Sequence, residues 1–313
     1  MSVDLISVGV VCADVMVRPV EELPPRGTLG LVPVLEMHLG GLAAVTASVY
    51  AQLGGKAAFL GRVGADGFGD YLLASLQQKG VETGLVKRDP SSCSSATVVM
   101  IDGSGERTFL HQVGANAATC EEDIDFSRIA GLKAKALHWG GPAIMPRLDG
   151  EAMGRVFARA QSQGLRTSMD TCYDGNGRWL PLIEASLPHL DLVFSSYEEA
   201  CCYTGRTDTE AIADFYLGYG VKIAVIKLGA DGFFIKSADS TVRLPAHKVQ
   251  VLDTTGAGDA FCGGFLYGWL QSWDLERCGR LANAVGGLTV QQMGGADSIR
   301  NLDQVLAFME TLS

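Results

Sequence analysis

Leu5-Ile6-Ser7-Val8-Gly9-Val10-Val11 is a β-branched run of the kind that fills a strand covered on both faces, and it reads as a central parallel strand. Downstream, Gly40-Gly41 precede helix-compatible small residues from Leu42 to Leu53, Ala57 to Val63 is again strand-like, and a loop from Gly64 to Gly67 leads to a helix across Asp70 to Lys79. This β-α-β-α order implies a mainly parallel sheet with crossover helices. Residues 12 to 38 read as an excursion: Pro19, Pro24, Pro25 and Gly27 break regular structure, and Leu31 to Met37 is a second short strand. Ala96 to Ile101 and Arg107 to His111 flank Asp102-Gly103-Ser104-Gly105-Glu106, which makes a hairpin. With the excursion it can form a small antiparallel layer standing off the main sheet.

The alternation then resumes. Strands are expected at Ala136 to Trp139, Leu165 to Asp170, Leu190 to Ser195 and Lys222 to Leu228, with helices at 149 to 163 and around 197 to 219. Helices at about 257 to 271, 274 to 292 and 302 to 311 close the chain. Several strands end in a polar or glycine-containing step (Asp170, Ser195-Ser196, Gly229), and ligands in open α/β sheets sit at carboxyl strand ends, so these steps should border the site. With no internal repeat and no long linker, the expectation is one three-layer α/β/α domain over 1–313, with a β lid from about 12–38 and 96–113.

Composition narrows the function. A chain of 313 residues that is 47% hydrophobic and 19% charged builds an ordered core. Its net charge of −10 argues against a nucleic-acid binder, which needs clustered Lys and Arg. A polyanion can still be held by backbone N–H groups and a metal. The eight cysteines form no C-x-x-C and no zinc spacing, which suits free thiols in a reducing compartment. No signal-like start and no apolar run of membrane-spanning length is present, so the expectation is a soluble cytoplasmic protein.

The chemistry concentrates in Asp253-Thr254-Thr255-Gly256-Ala257-Gly258-Asp259-Ala260-Phe261-Cys262-Gly263-Gly264-Phe265, a glycine loop running on into an apolar stretch of helix length. Such a loop turns unpaired N–H groups and the positive end of a helix dipole towards one point, and phosphate fits there. Asp259 at its edge can be a helix N-cap or a base that accepts the proton of an attacking hydroxyl. A simple cap does not need Gly256-Ala257-Gly258 ahead of it, which favours the base. No third glycine completes a dinucleotide fingerprint, Gly55-Lys56 is not a Walker A loop, and neither H-E-x-x-H nor G-x-S-x-G occurs.

Residues 253 to 264 closely resemble the C-terminal signature of the ribokinase-like (PfkB) carbohydrate kinases. Gly40-Gly41 through Gly61-Arg62-Val63-Gly64-Ala65-Asp66-Gly67-Phe68-Gly69 resemble their N-terminal signature, and the likeness extends to Gly105 through Phe109 and Gly114-Ala115-Asn116. The resemblance implies an ATP-dependent sugar kinase that uses Mg2+ and, in several members, a monovalent cation such as K+. Asp259 then corresponds to the catalytic base and Gly256, Ala257 and Gly258 to the anion hole. Asp14, Gly40 and Gly41 match sugar-binding positions, and Arg107 lies in a lid segment over the sugar. Glu199 matches the glutamate linked to magnesium and phosphate positioning, Asp253 and Thr255 the monovalent-cation positions, and Lys227, Gly229 and Asn283 positions bordering the nucleotide. In the family the lid is often used in dimerisation.

Three positions depart from the family pattern. Val45 stands where many relatives have asparagine, which removes an amide from the expected sugar pocket. Ser196 replaces the asparagine of N-x-x-E, and Cys172 replaces an asparagine that often follows the Asp170 strand. A nucleoside kinase of the same fold, or a non-catalytic sugar-binding regulatory protein, are the alternatives.

Overall fold

The computed structural model describes residues 2–104 and 106–310; Gly105 of the expected hairpin turn and position 311 of the last expected helix lie outside the described residues. The strands are β1 (Leu5–Gly9), β2 (Cys12–Arg18), β3 (Val34–Gly40), β4 (Ala57–Leu60), β5 (Arg62–Gly64), β6 (Lys87–Asp89), β7 (Ala96–Ile101) and β8 (Arg107–Gln112), followed by β9 (Ala136–Gly140), β10 (Arg166–Asp170), β11 (Leu192–Ser196), β12 (Ile223–Lys227), β13 (Phe233–Ser237) and β14 (Thr241–Leu244). The helices are α1 (Leu42–Gln52), α2 (Gly67–Gln78), α3 (Phe126–Gly131), α4 (Glu151–Ser162), α5 (Tyr197–Thr204), α6 (Thr209–Gly218), α7 (Ala257–Leu270), α8 (Leu275–Thr289) and α9 (Leu302–Glu310).

The main sheet has the order β14-β13-β12-β11-β10-β9-β1-β4. The strands from β12 to β4 run parallel, and β13 and β14 add an antiparallel edge. Burial on both faces explains the near-continuous apolar runs of the parallel strands. On one face Ile6, Val8, Trp139, Val193 and Ile226 pack with α3 to α6; on the other Leu5, Phe194, Val225 and Phe233 pack with α1, α2, α7 and α8. The expected three layers are therefore present.

The second sheet, β3-β2-β7-β8, is built from the two segments that the sequence marks as a lid. The excursion of residues 12 to 38 is more regular than expected: seven residues from Cys12 pair antiparallel with β3, five of them pair with β7 in parallel, so the layer is mixed rather than antiparallel throughout, and the second strand starts at Val34 rather than Leu31. The proline run that suggested irregularity lies in the connection between the two strands. The β13–β14 hairpin also escaped the sequence reading.

Candidate active site

The site lies where the carboxyl ends of β10, β11 and β12 meet the N-terminus of α7. Gly256 is the N-cap of α7, left-handed at φ 72°, and no side chain caps this helix end. A Cβ at Gly256 would lie 2.7 Å from Gly295 Cα, so glycine is required both by the dihedral and by the neighbour. The cap being Gly256, Asp259 falls in the first helical turn and is released from capping. Thr46 Oγ1 donates to the Asp259 carbonyl at 3.0 Å and ties this turn to α1. Burial and the neighbouring Asp170 carboxylate push the Asp259 carboxyl up to about 7, with Lys227 pulling the other way and Glu199 and Asp14 adding to the rise. A carboxylate poised near neutrality is suited to accept a proton.

Beneath the nest, Lys227 Nζ at the end of β12 donates to both oxygens of Asp170 at the end of β10, at 2.7 Å and 2.9 Å. A Cβ on Gly258 would come 3.2 Å from that ammonium. Burial raises the Asp170 carboxyl to about 6 despite its lysine. For Lys227, burial alone would lower the pKa, but Asp170 and the other acids around it hold the ammonium well above its ordinary range. Alongside, Glu199 Oε2 accepts from Thr171 Oγ1 at 2.8 Å and from the Ser196 amide at 3.3 Å, and Ser196 Oγ accepts from the Glu199 amide. Ser196 thus makes the capping box that opens α5.

The loop ahead of the nest is held by Asp253, whose Oδ1 accepts from the Thr255 amide at 2.9 Å and hydroxyl at 2.7 Å, while its buried Oδ2 has no hydrogen-bond partner. Arg107 on β8 reaches down from the lid, donating to Thr255 Oγ1 at 2.8 Å and lying 3.6 Å from Asp253 Oδ1.

The lid's cleft face carries one polar residue from each strand in register: His38 on β3, Asp14 on β2, Thr97 on β7 and His111 on β8. Thr97 Oγ1 lies 3.0 Å from His111 Nδ1 and 3.0 Å from Cys12 Sγ. Burial raises the Asp14 carboxyl to about 6 against the lowering effect of Cys12 and Thr97. A Cβ on Gly40 would fall 2.0 Å from Asp14 Oδ2, so the first glycine of the pair makes room for this carboxylate. Gly41 is the N-cap of α1.

The remaining expected residues lie further out. Gly229 starts the turn after β12, and Asn283 on α8 donates to the Pro245 carbonyl at 2.9 Å. Val45 is buried in an apolar cluster with Val49, Ala260, Leu281 and Ile299. Cys172 accepts the Tyr203 hydroxyl at its carbonyl. Asp170 was legible only as the polar end of a buried strand, and nothing in the sequence signalled the roles of Thr46 or Thr171.

A buried carboxylate beside a helix N-terminus that no side chain caps, at the carboxyl ends of parallel strands in an open α/β sheet, suits a phosphotransferase acting on a hydroxyl group. The chain belongs to the pfkB family of carbohydrate kinases, whose family model matches residues 4–302. It is 30% identical over 258 residues to an uncharacterized sugar kinase of Archaeoglobus fulgidus, covering 81% of this chain and 99% of that protein. It is also 30% identical to the aminoimidazole riboside kinase of Salmonella typhimurium, covering 88% of each. Among solved structures, Arabidopsis thaliana ribokinase complexed with ribose and ATP superimposes with a TM-score of 0.85 at 25% identity, covering 99% of both chains.

Proposed function

We propose that this sugar kinase transfers the γ-phosphate of MgATP to a hydroxyl of a small carbohydrate. The observation that carries the reading is the pairing of Asp259, free of capping duty and raised to about 7, with the glycine nest one turn ahead of it. Asp259 takes the hydroxyl proton as the oxygen attacks phosphorus, and the amides of 256 to 258 stabilise charge on the phosphoryl oxygens. Lys227, held against Asp170 below Gly258, adds positive charge to the floor without being free to leave. Gly229 and Asn283 border the nucleotide.

Bound magnesium would supply charge neutralisation on the phosphates, with Glu199 as the residue that orients it. Among the described residues no group of three or more His, Cys, Asp or Glu is gathered to hold a metal, so most ligands of such an ion would come from phosphate and water. A monovalent cation such as K+ suits the loop of Asp253 and Thr255, where the partnerless Oδ2 of Asp253 offers a buried oxygen ligand.

The sugar is held from above by Asp14, Gly40, Gly41 and Arg107. The polar row His38–Asp14–Thr97–His111 suits a polyhydroxylated acceptor, while the half-exposed Phe109 beside Arg107 is the feature that would favour a nucleoside. Lid closure excludes water that would otherwise accept the phosphate. We place the whole chain in one kinase domain with this lid, in the cytoplasm, where the eight unpaired cysteines are at home. The lid's outer face presents Val15, Val17, Leu35, Met37, Val98 and Leu110, and such an apolar sheet face suits a homodimer.

The test is ADP formation with MgATP across D-ribose, D-fructose, 2-dehydro-3-deoxygluconate and aminoimidazole riboside. Turnover dependent on one of the free sugars supports the reading, turnover with the riboside alone moves the acceptor to the nucleoside class, and sugar binding without ADP release contradicts transfer.

A further inference from the structure

The loop after α8 connects two parts of the site that the chain otherwise keeps apart. Its Gly295 abuts Gly256 of the phosphate nest, and its Met293 packs on Met16, Val99 and Ile101 of the lid's cleft face. Asp297, in the same loop, places Oδ2 2.9 Å from His38 Nδ1 and Oδ1 2.5 Å from Lys79 Nζ. His38 belongs to the lid strand β3 and stands directly across from Asp14. One short loop therefore grips the lid beside a sugar-binding carboxylate and backs the glycine that turns the nest.

We propose that His38 is a positioning residue, whose ion pair with Asp297 latches the lid strand to the loop behind Gly256 and so keeps the acceptor's seat in register with the phosphate nest. The kinetic part of this inference rests on the kinase reading above; the latch itself belongs to the unliganded chain. An exposed ion pair contributes little to stability, and the Asp297 side chain of this one is 39% exposed. Its leverage is geometric, because misplacing reacting groups by about 1 Å can cost two orders of magnitude in rate.

The groups facing His38 favour its charged form. Glu36 on its own strand lies 3.3 Å from Nε2, Asp14 faces it from β2 and Asp297 from the loop. Lys79, at the end of α2, is already engaged by the other oxygen of Asp297, and the Tyr71 phenol is bonded to the Met37 carbonyl. The bond to Asp297 holds His38 above the ordinary imidazole range against the lowering effect of burial. The latch is thus complete below that raised value and weakens as pH rises through it.

The test combines steady-state kinetics of the wild type, His38→Ala, Asp297→Asn and the double variant with amide hydrogen exchange of the unliganded proteins. The probes are MgATP with D-ribose or D-fructose, whichever the wild type turns over faster. Each single variant is expected to lower kcat/KM for the sugar by about tenfold, the double no further, with faster exchange over residues 34–40 in all three. His38→Gln, a neutral donor, should restore most of the rate and abolish the alkaline fall of kcat/KM. Should His38→Ala fail to fold, Asp297→Asn and His38→Gln carry the test. Additive losses, or unchanged kcat/KM, overturn the proposal. Unchanged exchange over 34–40 overturns it even if the wild type phosphorylates neither sugar, a result that by itself counts against the kinase reading and leaves the latch to the exchange data.

Discussion

Lys227 and Asp170, at the ends of β12 and β10, are joined across the intervening strand β11 by two charge-assisted bonds, and the acid is almost wholly buried. The pair acts on the acid above it: after burial, its carboxylate is the largest cause that raises Asp259, and its ammonium limits that rise.

Removing one partner of a buried pair leaves an uncompensated charge. Lys227→Met is expected to destabilise the protein by about 3–5 kcal/mol in urea unfolding. Adding Asp170→Asn should recover much of that loss. A single-variant cost no larger than that of a surface pair, about 1 kcal/mol or less, would show the pair to be far better solvated than its burial indicates.

Gly40→Ala drives a methyl into the Asp14 carboxylate, which lies 2.0 Å from the Cβ position. The expected outcome is a KM for the sugar raised about tenfold or more with MgATP affinity little changed, since the bond lost on displacing Asp14 is, on the proposed reading, one to the sugar alone. An equal loss for both substrates would point to collapse of the α1 entry instead.

The pH–rate profile follows from Asp259. Its carboxyl is raised to about 7, so in the proposed role of base it is protonated and idle below that value, and kcat/KM for the sugar should climb as pH rises through it. A rate flat from pH 5 to 8 would remove Asp259 from the role of base.

Arg62 grips Asp123 through Nε at 2.7 Å and a second nitrogen at 2.8 Å, and Lys87 adds a third bond at 2.8 Å. Burial would raise the Asp123 carboxyl, but these cations bring it down to about 2 from 3.8. Because the folded value lies below the unfolded one, the contribution is fully present above about pH 4 and is lost as pH falls towards 2. Arg62→Ala should therefore lower Tm at neutral pH by several degrees, with a smaller difference from wild type in acid.

The lid's outer face leaves Leu35 65% and Leu110 62% exposed in the single chain. Leu35→Asp with Leu110→Asp should convert a dimer to a monomer in light scattering after size exclusion, with the fold retained. A wild type already monomeric at micromolar concentration would end the dimer proposal.

The layered core was legible because buried parallel strands such as β1 and β9 are apolar on both faces, a pattern that few other structures impose. The lid's β2 was not, because Val15 and Val17 alternate with Asp14 and Met16 in a segment whose prolines suggested irregularity. The nest and Asp259 are contiguous in sequence and could be read as one unit. Asp170, His38 and Asp297 could not, since their partners lie 57 and 259 residues away and only the fold brings them together. Ser196 departs from the family's asparagine, and it caps α5 as well as an asparagine would.

The most direct measurement of the central claim is phosphate transfer from γ-labelled ATP to the best sugar of the panel by Asp259→Asn, alongside MgATP binding by calorimetry. The account predicts a rate lower by about 10²–10⁴-fold with nucleotide affinity largely retained. Transfer at the wild-type rate would contradict it.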